Sequence, residues 1–342
     1  MKYRCAVIGL GRIGCGFDDS PNATLISTHA GAYFRNEKTN LVAFCDVDED
    51  KLKKYGPKYG VTKLYTDYKE MFRNESLDCV SICTHANSHL DIVKAACRFN
   101  IRGIYLEKPI SESLKNAKTI IDICKKNNVK LQVNHQRRFD PFYIKLKKLV
   151  IEKQFGRIQQ CSIYYGSGIA NTGSHICDLI RYLFGNIKWV QAIKSQNPSN
   201  NENDPNLDGV IMCDNGIKCS LLSFDYSNYG ILEFDIISTK KRIKLNLTTG
   251  KIEIFKSTLP KIGLYYKELV PQTVTFPPRT SAIFNGVETL LQSIQTNKEP
   301  LCTGEDGYLS LEAVTALIKS SSLNGKRIAI PLKNTNYKIH SK

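Results

Sequence analysis

Three glycines near the start of the chain constrain its fold more than any other feature. The segment Cys5–Gly14, CAVIGLGRIG, runs from apolar residues into the spacing G-x-G-x-x-G. The run Ala6–Ile8 indicates a strand covered on both faces, as in a parallel sheet. The glycines permit a tight turn, a close backbone approach to a pyrophosphate and close helix packing, and amides at the helix start would hold phosphates. The pattern predicts a dinucleotide site, with a plain strand-to-helix turn as the alternative, and its predicted contacts are Gly9, Gly11, Arg12, Ile13 and Gly14.

An acidic residue closes the second predicted strand. Leu41–Asp46 is apolar up to Asp46, where a carboxylate would bond the ribose hydroxyls and repel a 2′-phosphate. The sequence therefore favours NAD over NADP. Asp46 lies farther from the glycines than is usual, and the polar segment Cys15–Thr28, predicted to be a loop, accounts for the excess. The alternative role for Asp46 is a helix cap before Glu49.

Strands and helices alternate through the first part of the chain. Buried strands are predicted at Leu77–Cys83, Ile101–Leu106 and Val129–Val133, with helices between them. This alternation predicts a parallel, doubly wound sheet, and ligands of such sheets bind at the carboxyl ends of the strands. The segment after Cys83 therefore supplies further predicted cofactor contacts, namely Thr84, His85 and His89.

The pattern changes after residue 138. A helix from Pro141 is followed mostly by short strands, and Asn215-Gly216 between two of them is a hairpin signal. We therefore predict an α/β protein with two domains: a dinucleotide-binding Rossmann domain at 1–138, and an α+β domain at 139–342 with an open, mostly antiparallel sheet. Ser195–Leu207 is predicted to be an exposed loop, and two late helices are expected at about 281–296 and 305–321.

Composition excludes several functional classes. The formal net charge of +16 suits an anionic ligand, but the basic residues are scattered, which favours a solvated lysine-rich surface over nucleic-acid binding. The 12 cysteines form no C-x-x-C pair and lie in apolar runs, so we expect reduced core thiols and no metal site. Without a signal-peptide pattern or an apolar run of about 18 residues, we expect a cytoplasmic protein with no membrane partner.

Lys108 is the first candidate catalytic residue. It follows a predicted buried strand, at the sheet edge that carries the glycine loop, and Pro109 restricts the backbone before it. Partial desolvation near a cofactor would lower the pKa of a lysine and suit it to acid–base work. Glu107 could orient Lys108 or contact the cofactor ribose. The alternative for an isolated Lys-Pro pair is an exposed turn.

A polar face within an apolar segment supplies the second group of candidates. Asn171, Ser174, His175 and Asp178 recur at offsets of three and four residues, which places them on one side of a helix. Such a face suits a proton relay or a sugar site. The alternative for a lone histidine here is a hydrogen-bonded core residue.

Together these motifs resemble the glucose–fructose oxidoreductase, inositol dehydrogenase and rhizopine catabolism (Gfo/Idh/MocA) family. The resemblance covers nearly the whole chain and is strongest at Glu107-Lys108-Pro109; the other motifs are the glycine loop, His29-Ala-Gly-Ala-Tyr33, Asp46, Thr84–His89, Arg137-Arg138-Phe139 and His175-x-x-Asp178. It implies a tightly held nicotinamide cofactor and a second domain that carries substrate and forms oligomer contacts, as a dimer or tetramer. It also implies that Lys108 and His175 lie near the reacting hydroxyl or ketone, with Arg138, Asn171, Ser174 and Asp178 as further substrate contacts.

One position departs from the family pattern. Many dehydrogenases of the family carry aspartate four residues before the catalytic histidine, where this chain has Asn171. Asparagine cannot accept a proton, which puts an Asp–His relay in doubt. The segment resembles the subgroup of nucleotide-sugar and surface-polysaccharide pathways, so the expected function is an NAD-dependent sugar oxidoreductase acting on a nucleotide-linked sugar. The alternatives are a non-catalytic dinucleotide or sugar sensor and, within the enzymes, NAD-assisted glycoside cleavage.

Overall fold

The chain divides into two compact units in a computed structural model that describes residues 2–21, 24–259, 267–333 and 336–339. The first unit comprises Met1–Asp140 and Thr280–Leu311, and the second comprises Pro141–Arg279 and Glu312–Lys342. Within the described ranges, no helix is both long and apolar enough to cross a membrane.

The amino-terminal part of the first unit alternates strands and helices, as predicted. The strands are β1 (Tyr3–Ile8), β2 (Thr39–Cys45), β3 (Lys63–Tyr65), β4 (Cys79–Ile82), β5 (Gly103–Leu106) and β6 (Lys130–Val133), and the helices are α1 (His29–Arg35), α2 (Glu49–Tyr59), α3 (Tyr68–Asn74), α4 (His89–Ala96) and α5 (Leu114–Lys126). These strands form a parallel sheet in the order β3-β2-β1-β4-β5-β6. The order reverses at β1, so the switch point falls between β1 and β4.

Helices α2 and α5 each begin at a capping side chain. The carboxylate of Asp48 accepts from the amides of Asp50 and Lys51, and Ser113 accepts from the amide of Asn116. These bonds satisfy amides that have no partner inside the helix. The strands β4 and β5 are fully buried, as expected for parallel strands with helices on both faces.

The polar insertion after the glycine loop does not change how helix α1 joins that loop. Described residues of the insertion include one 3₁₀ turn, Gly16–Asp19, and the chain then returns to the end of the glycine loop. The amide of His29 donates to the carbonyl of Ile13 at 3.1 Å, and that of Ala30 donates to Gly14 at 3.0 Å. Helix α1 therefore continues from the loop as if the insertion were absent, which explains the long spacing to Asp46.

The middle of the chain builds the second unit. It contains helices α6 (Pro141–Ile151) and α7 (Gly173–Phe184) and strands β7 (Ile158–Tyr165), β8 (Ile187–Lys194), β9 (Leu207–Cys213), β10 (Lys218–Ser223), β11 (Glu233–Ser238), β12 (Lys241–Asn246), β13 (Ile252–Ser257) and β14 (Leu269–Gln272). The turn at Asn215-Gly216 joins the antiparallel pair β9 and β10, as predicted, with Gly216 at a φ of 86°.

The chain ends with helices α8 (Ala282–Thr296) and α9 (Gly304–Ser322) and strand β15 (Ile328–Ala329). The second sheet has the order β14-β13-β12-β11-β7-β10-β9-β8-β15, and its pairs are antiparallel except β7 with β10. The predicted fold class, a parallel Rossmann sheet followed by a mostly antiparallel sheet, is confirmed.

The predicted domains, 1–138 and 139–342, remain a prediction, and the packing groups residues 280–311 with the first unit. The reason is that α8 lies against the parallel sheet: a Cβ at Gly103 would meet Leu290 and Ile294, and one at Gly286 would collide with the ring of Tyr105. Parts of the predicted loop 15–28 and of the polar tail 334–342 lie outside the described residues.

Candidate functional site

The glycine loop has the shape that its spacing predicts. Gly9 has a φ of 90°, and a Cβ there would lie 2.8 Å from the carbonyl carbon of Cys83, so only glycine fits without strain. A Cβ at Gly14 would collide with the carbonyl oxygen of Gly9. At Gly11, by contrast, a Cβ would meet no described atom within 4 Å. Two of the glycines are required by the fold, whereas Gly11 faces open space.

Asp46 is joined to the glycine loop. Its Oδ2 accepts a hydrogen bond from the amide of Leu10 at 2.6 Å, and its Oδ1 accepts from the amide of Asp48 at 2.9 Å. The ammonium of Lys51 lies 3.9 Å from Oδ1. Because β1 and β2 are parallel neighbours, the carboxylate sits at the edge where the loop begins. Asp48 is the N-cap of the helix that begins at Glu49. The alternative role of Asp46, as that helix cap, is therefore wrong.

The predicted contacts after β4 differ in exposure. His85 is exposed and Thr84 is half-buried, with its hydroxyl accepting a hydrogen bond from Ser88 at 2.7 Å. His89 is fully buried, and its ring nitrogens lie 3.2 Å from the carbonyl oxygen of Ile110 and 3.1 Å from that of Thr84. The ring of His89 therefore fixes the loop after β4, and direct cofactor contact by Thr84, His85 and His89 stays a prediction.

A buried polar network surrounds Glu107, directly after β5. The Nε2 of His29 lies 2.9 Å from Oε1 of Glu107, and the amide nitrogen of Asn134 donates to the same oxygen. The other ring nitrogen of His29 lies 2.8 Å from the hydroxyl of Ser81, and the hydroxyl of Tyr105 donates to Asn134 at 2.8 Å. His29, Ser81 and Tyr105 are fully buried, and Asn134 and Glu107 nearly so.

Lys108 is half-buried at the end of β5, and its peptide bond to Pro109 is cis. Its backbone amide donates to Oε2 of Glu107 at 3.2 Å. Arg138, a predicted substrate contact, is 6% exposed, and its guanidinium lies 3.1 Å from Oδ1 of Asp306. An ion pair within the first unit thus holds Arg138, and its role toward substrate stays a prediction.

The first unit fits a bound dinucleotide. Gly11 leaves room for a phosphate beside the loop, the Asp46 carboxylate lies next to that loop, and the polar side chains after β4 and β5 share the carboxyl edge of the sheet. In the described ranges, no group of three or more His, Cys, Asp or Glu side chains could hold a metal ion.

The polar face of the second unit is built on an irregular turn. Residues Gly168–Thr172 form a short π-helix that leads into α7, so Asn171 precedes the regular helix that carries Ser174, His175 and Asp178. Ser174 and Asp178 are buried, whereas Asn171 and His175 are half-buried. The hydroxyl of Ser174 donates to the carbonyl of Asn171 at 2.8 Å.

Asp204 holds this turn and was missed by sequence analysis. Its two carboxylate oxygens accept hydrogen bonds from the backbone amides of Ala170 at 2.6 Å and Asn171 at 2.9 Å. The side chain of Asn206 accepts from the amide of Gly168 at 2.9 Å. The prediction that Ser195–Leu207 is exposed is therefore wrong at its end, where Asp204 and Asn206 are buried because they satisfy these amides. No periodic or motif signal marks either residue.

These features define a dinucleotide-binding Rossmann unit joined in the chain to an α/β unit with a polar helix face. Residues 3–135 match the family described as an oxidoreductase family with an NAD-binding Rossmann fold, and residues 165–330 match the C-terminal alpha/beta domain of the same family. The chain belongs to this Gfo/Idh/MocA family of NAD-binding oxidoreductases, which confirms the predicted family and cofactor.

Two curated relatives are similar over part of their length. The chain is 27% identical to a D-apiose dehydrogenase of Paraburkholderia graminis over 201 residues, which are 54% of this chain and 52% of that enzyme. It is 34% identical to a myo-inositol 2-dehydrogenase of Thermotoga maritima over 154 residues, which are 45% of this chain and 42% of that enzyme. The matched segments thus span about half the length of these relatives.

A solved structure shares the whole fold. The WlbA dehydrogenase from Bordetella pertussis, crystallised with NADH and UDP-GlcNAcA, superposes with a TM-score of 0.79. The match covers 97% of this chain and 100% of that one at 18% identity, so it shows the fold alone.

Proposed function

We propose that this protein is an NAD-dependent oxidoreductase that transfers a hydride between the nicotinamide and a sugar hydroxyl or ketone. The observation that carries the proposal is the position of Lys108. It stands at the carboxyl edge of the same parallel sheet whose β1 ends in the glycine loop and whose β2 ends in Asp46. A half-buried lysine at the ligand-binding edge of a Rossmann sheet is placed for acid–base chemistry on a bound substrate.

In the proposed mechanism, the glycine loop and Asp46 bind the cofactor, and Lys108 and His175 carry out the proton transfer. NAD, when bound, supplies the hydride acceptor. The glycine loop would hold its phosphates through Gly9, Gly11, Arg12, Ile13 and Gly14, and Asp46 would accept from its ribose hydroxyls. The Nζ of Lys108 polarises the oxygen of the reacting carbon and stabilises negative charge that develops there.

The second unit supplies the remaining groups of the proposal. His175 or Lys108 takes the proton of the substrate hydroxyl, and Asn171, Ser174 and Asp178 hold neighbouring hydroxyl groups. Asn171 cannot accept a proton, so a relay from His175 through this position is excluded from the proposal. Arg138 is proposed to act on substrate in addition to its ion pair with Asp306.

The proposed substrate is a nucleotide-linked sugar of surface-polysaccharide biosynthesis. The names of the related D-apiose and inositol dehydrogenases support a polyol or sugar, and the UDP-sugar bound to the similar WlbA dehydrogenase supports a nucleotide-linked one. A net charge of +16 favours an anionic substrate. We further propose that the protein is a cytoplasmic homo-oligomer, either a dimer or a tetramer, and that it binds neither nucleic acid nor membrane.

Asn171 favours a second candidate, a dinucleotide or sugar sensor with the same fold. Asn171 stands where many family dehydrogenases have a proton-accepting aspartate, and its backbone amide donates to Asp204. A sensor would bind NAD and a sugar without any change in the redox state of the cofactor.

The deciding experiment uses the whole purified protein. Any nucleotide released on denaturation is identified, and absorbance at the NADH wavelength is then followed while sugars and nucleotide sugars are added with NAD or NADH. A change with one substrate supports the dehydrogenase. Saturable NAD binding with no redox change for any substrate would favour the sensor, whereas sugar release without net NADH would favour glycoside cleavage. Failure to bind either dinucleotide would overturn both candidates.

A further inference from the structure

We propose that His29 and Asn134 are positioning residues, which hold the carboxylate of Glu107 and through it fix the backbone of Lys108. The inference rests on the proposed function, because it names residues that support the proposed catalytic lysine. Neither residue is among the predicted catalytic, cofactor or substrate contacts. All of the atoms concerned lie in the first unit.

The first step of the argument is that Glu107 is fully engaged by protein. Oε1 lies 2.9 Å from the Nε2 of His29 and accepts from the amide nitrogen of Asn134, while Oε2 accepts from the backbone amide of Lys108 at 3.2 Å. These three donors fix the carboxylate in position and in rotation. One of the donors is the amide of the proposed catalytic residue itself, so Glu107 is placed to orient Lys108.

The second step is electrostatic. Burial raises the pKa of the Glu107 carboxyl, but the hydrogen bonds from His29 and Asn134 and the charge of Lys108 outweigh burial, so the pKa lies below its ordinary value of 4.5. The carboxylate is therefore ionised near neutral pH. A buried anion that loses one partner is strongly destabilised and moves toward another partner or toward solvent. Removal of His29 or Asn134 should therefore change where Glu107 points.

The third step explains how His29 reaches this place. Helix α1 starts at His29, and the side chain of Thr28 caps it by accepting from the amide of Gly31 at 3.0 Å. The backbone of His29 is tied to Ile13 of the glycine loop, while its ring contacts Glu107. One residue thus links the loop proposed to bind the phosphates to the strand end that carries Lys108.

The chain offers a matched pair of variants at this position. In His29→Gln the amide nitrogen stands near the place of the ring Nε2 and can still donate to Glu107. In His29→Asn the shorter side chain can reach only the Ser81 side, so the bond to Glu107 is lost. Thr39→Val is the control for stability, because it removes a different buried hydrogen bond, from the Thr39 hydroxyl to the carbonyl of Tyr33 at 2.5 Å.

We expect His29→Asn to lower kcat by about 100-fold, because small misplacements of a catalytic group cost about that much. His29→Gln should retain kcat within about fivefold of wild type, and the Kd for NAD should stay within about threefold in both variants. Equal losses of kcat in the Asn and Gln variants, or an unchanged kcat in His29→Asn, would overturn the inference. If His29→Asn shows no cooperative thermal unfolding, Asn134→Ala carries the same test through the other donor.

A turnover-independent measurement separates this inference from the proposed function. The rate of acetylation of Lys108 by acetic anhydride is measured by peptide mass spectrometry, relative to the exposed Lys53 of the same molecule. We expect the relative rate to change about fivefold or more in His29→Asn and to stay near wild type in His29→Gln and Thr39→Val. If the wild type turns over no substrate, this result still decides the role of His29, and equal relative rates in all proteins would overturn it.

Discussion

The candidate residues of the two units are held in place in different ways. In the first unit they follow the carboxyl ends of strands β1, β2 and β5 of one parallel sheet, so Gly9, Asp46 and Lys108 share one edge as soon as the strand order is set. In the second unit the turn that carries Asn171 is held by Asp204, which lies 33 residues farther along the chain. The first arrangement follows from topology, whereas the second depends on long-range hydrogen bonds to residues 204–206.

The largest expected effect tests whether the strand edge of the first unit carries chemistry. We expect Lys108→Ala to lower kcat by about 10²- to 10⁴-fold, the usual contribution of a positioned acid–base group. The Kd for NAD should change little, because the glycine loop and Asp46 are untouched. Steady-state kinetics measure kcat, and NAD titration measures the Kd. A kcat equal to that of wild type would contradict the catalytic role of Lys108.

The next prediction separates binding from folding within the glycine loop. Gly11→Ala adds a methyl group into open space, so the thermal midpoint should stay near that of wild type while NAD affinity falls about 10- to 100-fold, since the methyl blocks the approach of the phosphate. Calorimetric titration of NAD and a thermal melt give both numbers.

Gly9→Ala is the matched control for that variant. Its Cβ would lie 2.8 Å from the Cys83 carbonyl carbon at a φ of 90°, so we expect loss of stability before any effect on binding can be measured. If Gly11→Ala binds NAD as tightly as wild type, the phosphates do not approach the loop where we propose.

The third prediction tests the long-range contact in the second unit. Asp204→Ala leaves two backbone amides, of Ala170 and Asn171, without their carboxylate, and we expect a loss of about 2 to 4 kcal/mol of stability. The kcat should fall about tenfold, because the turn that carries Asn171 would be displaced. NAD affinity should be unchanged, since the glycine loop and Asp46 belong to the first unit.

The single tryptophan helps to locate this effect. Trp189 lies in β8 of the second unit, so its fluorescence reports unfolding there. Asp204→Asn keeps one carbonyl oxygen as acceptor and should recover part of the lost stability. An unchanged fluorescence melt in Asp204→Ala would show that the turn does not depend on Asp204.

The sequence predicts the first unit well because its signals are local. The apolar strands, the glycine spacing and Asp46 each lie within a short segment, and the parallel sheet then brings them together. Helices α2 and α3 and strand β3, between Asp46 and Leu77, were not predicted, because the many charged residues there leave only a weak apolar pattern. The hydrogen bonds around Glu107 were also missed, because they join residues from four separate segments.

The second unit was predicted only in outline. Its strands and the Asn215-Gly216 turn have local signals, but the order of the sheet, with β10 beside β7 in parallel, has none. The polar face of α7 was visible from its helical spacing, whereas Asp204 sits in a segment rich in Asn, Ser and Pro that has the composition of an exposed loop. A buried carboxylate that satisfies distant amides cannot be recognised without the contact itself.

The smallest expected effect concerns His89, which anchors the loop after β4. Burial lowers the pKa of His89 below its ordinary value of 6.5, although the carbonyls of Thr84 and Ile110 oppose the shift. A histidine whose pKa is lower in the folded state contributes stability above pH 6.5 that is lost as the pH falls. Glu107 acts in a separate pH range, because the stability that its lowered pKa contributes is lost only as the pH falls below 4.5.

Because His89 and Glu107 act in different pH ranges, the contribution of His89 to stability can be measured separately. His89→Gln keeps a donor for one of the two carbonyls but does not titrate. We therefore expect the difference in unfolding free energy between wild type and His89→Gln to shift against the wild type between pH 7 and about pH 5, and to be constant above pH 7. Denaturant melts across this range measure it. A difference that is flat below pH 6.5 would mean that the ring of His89 has the same pKa in the folded and unfolded chain, which would contradict its burial in the loop after β4.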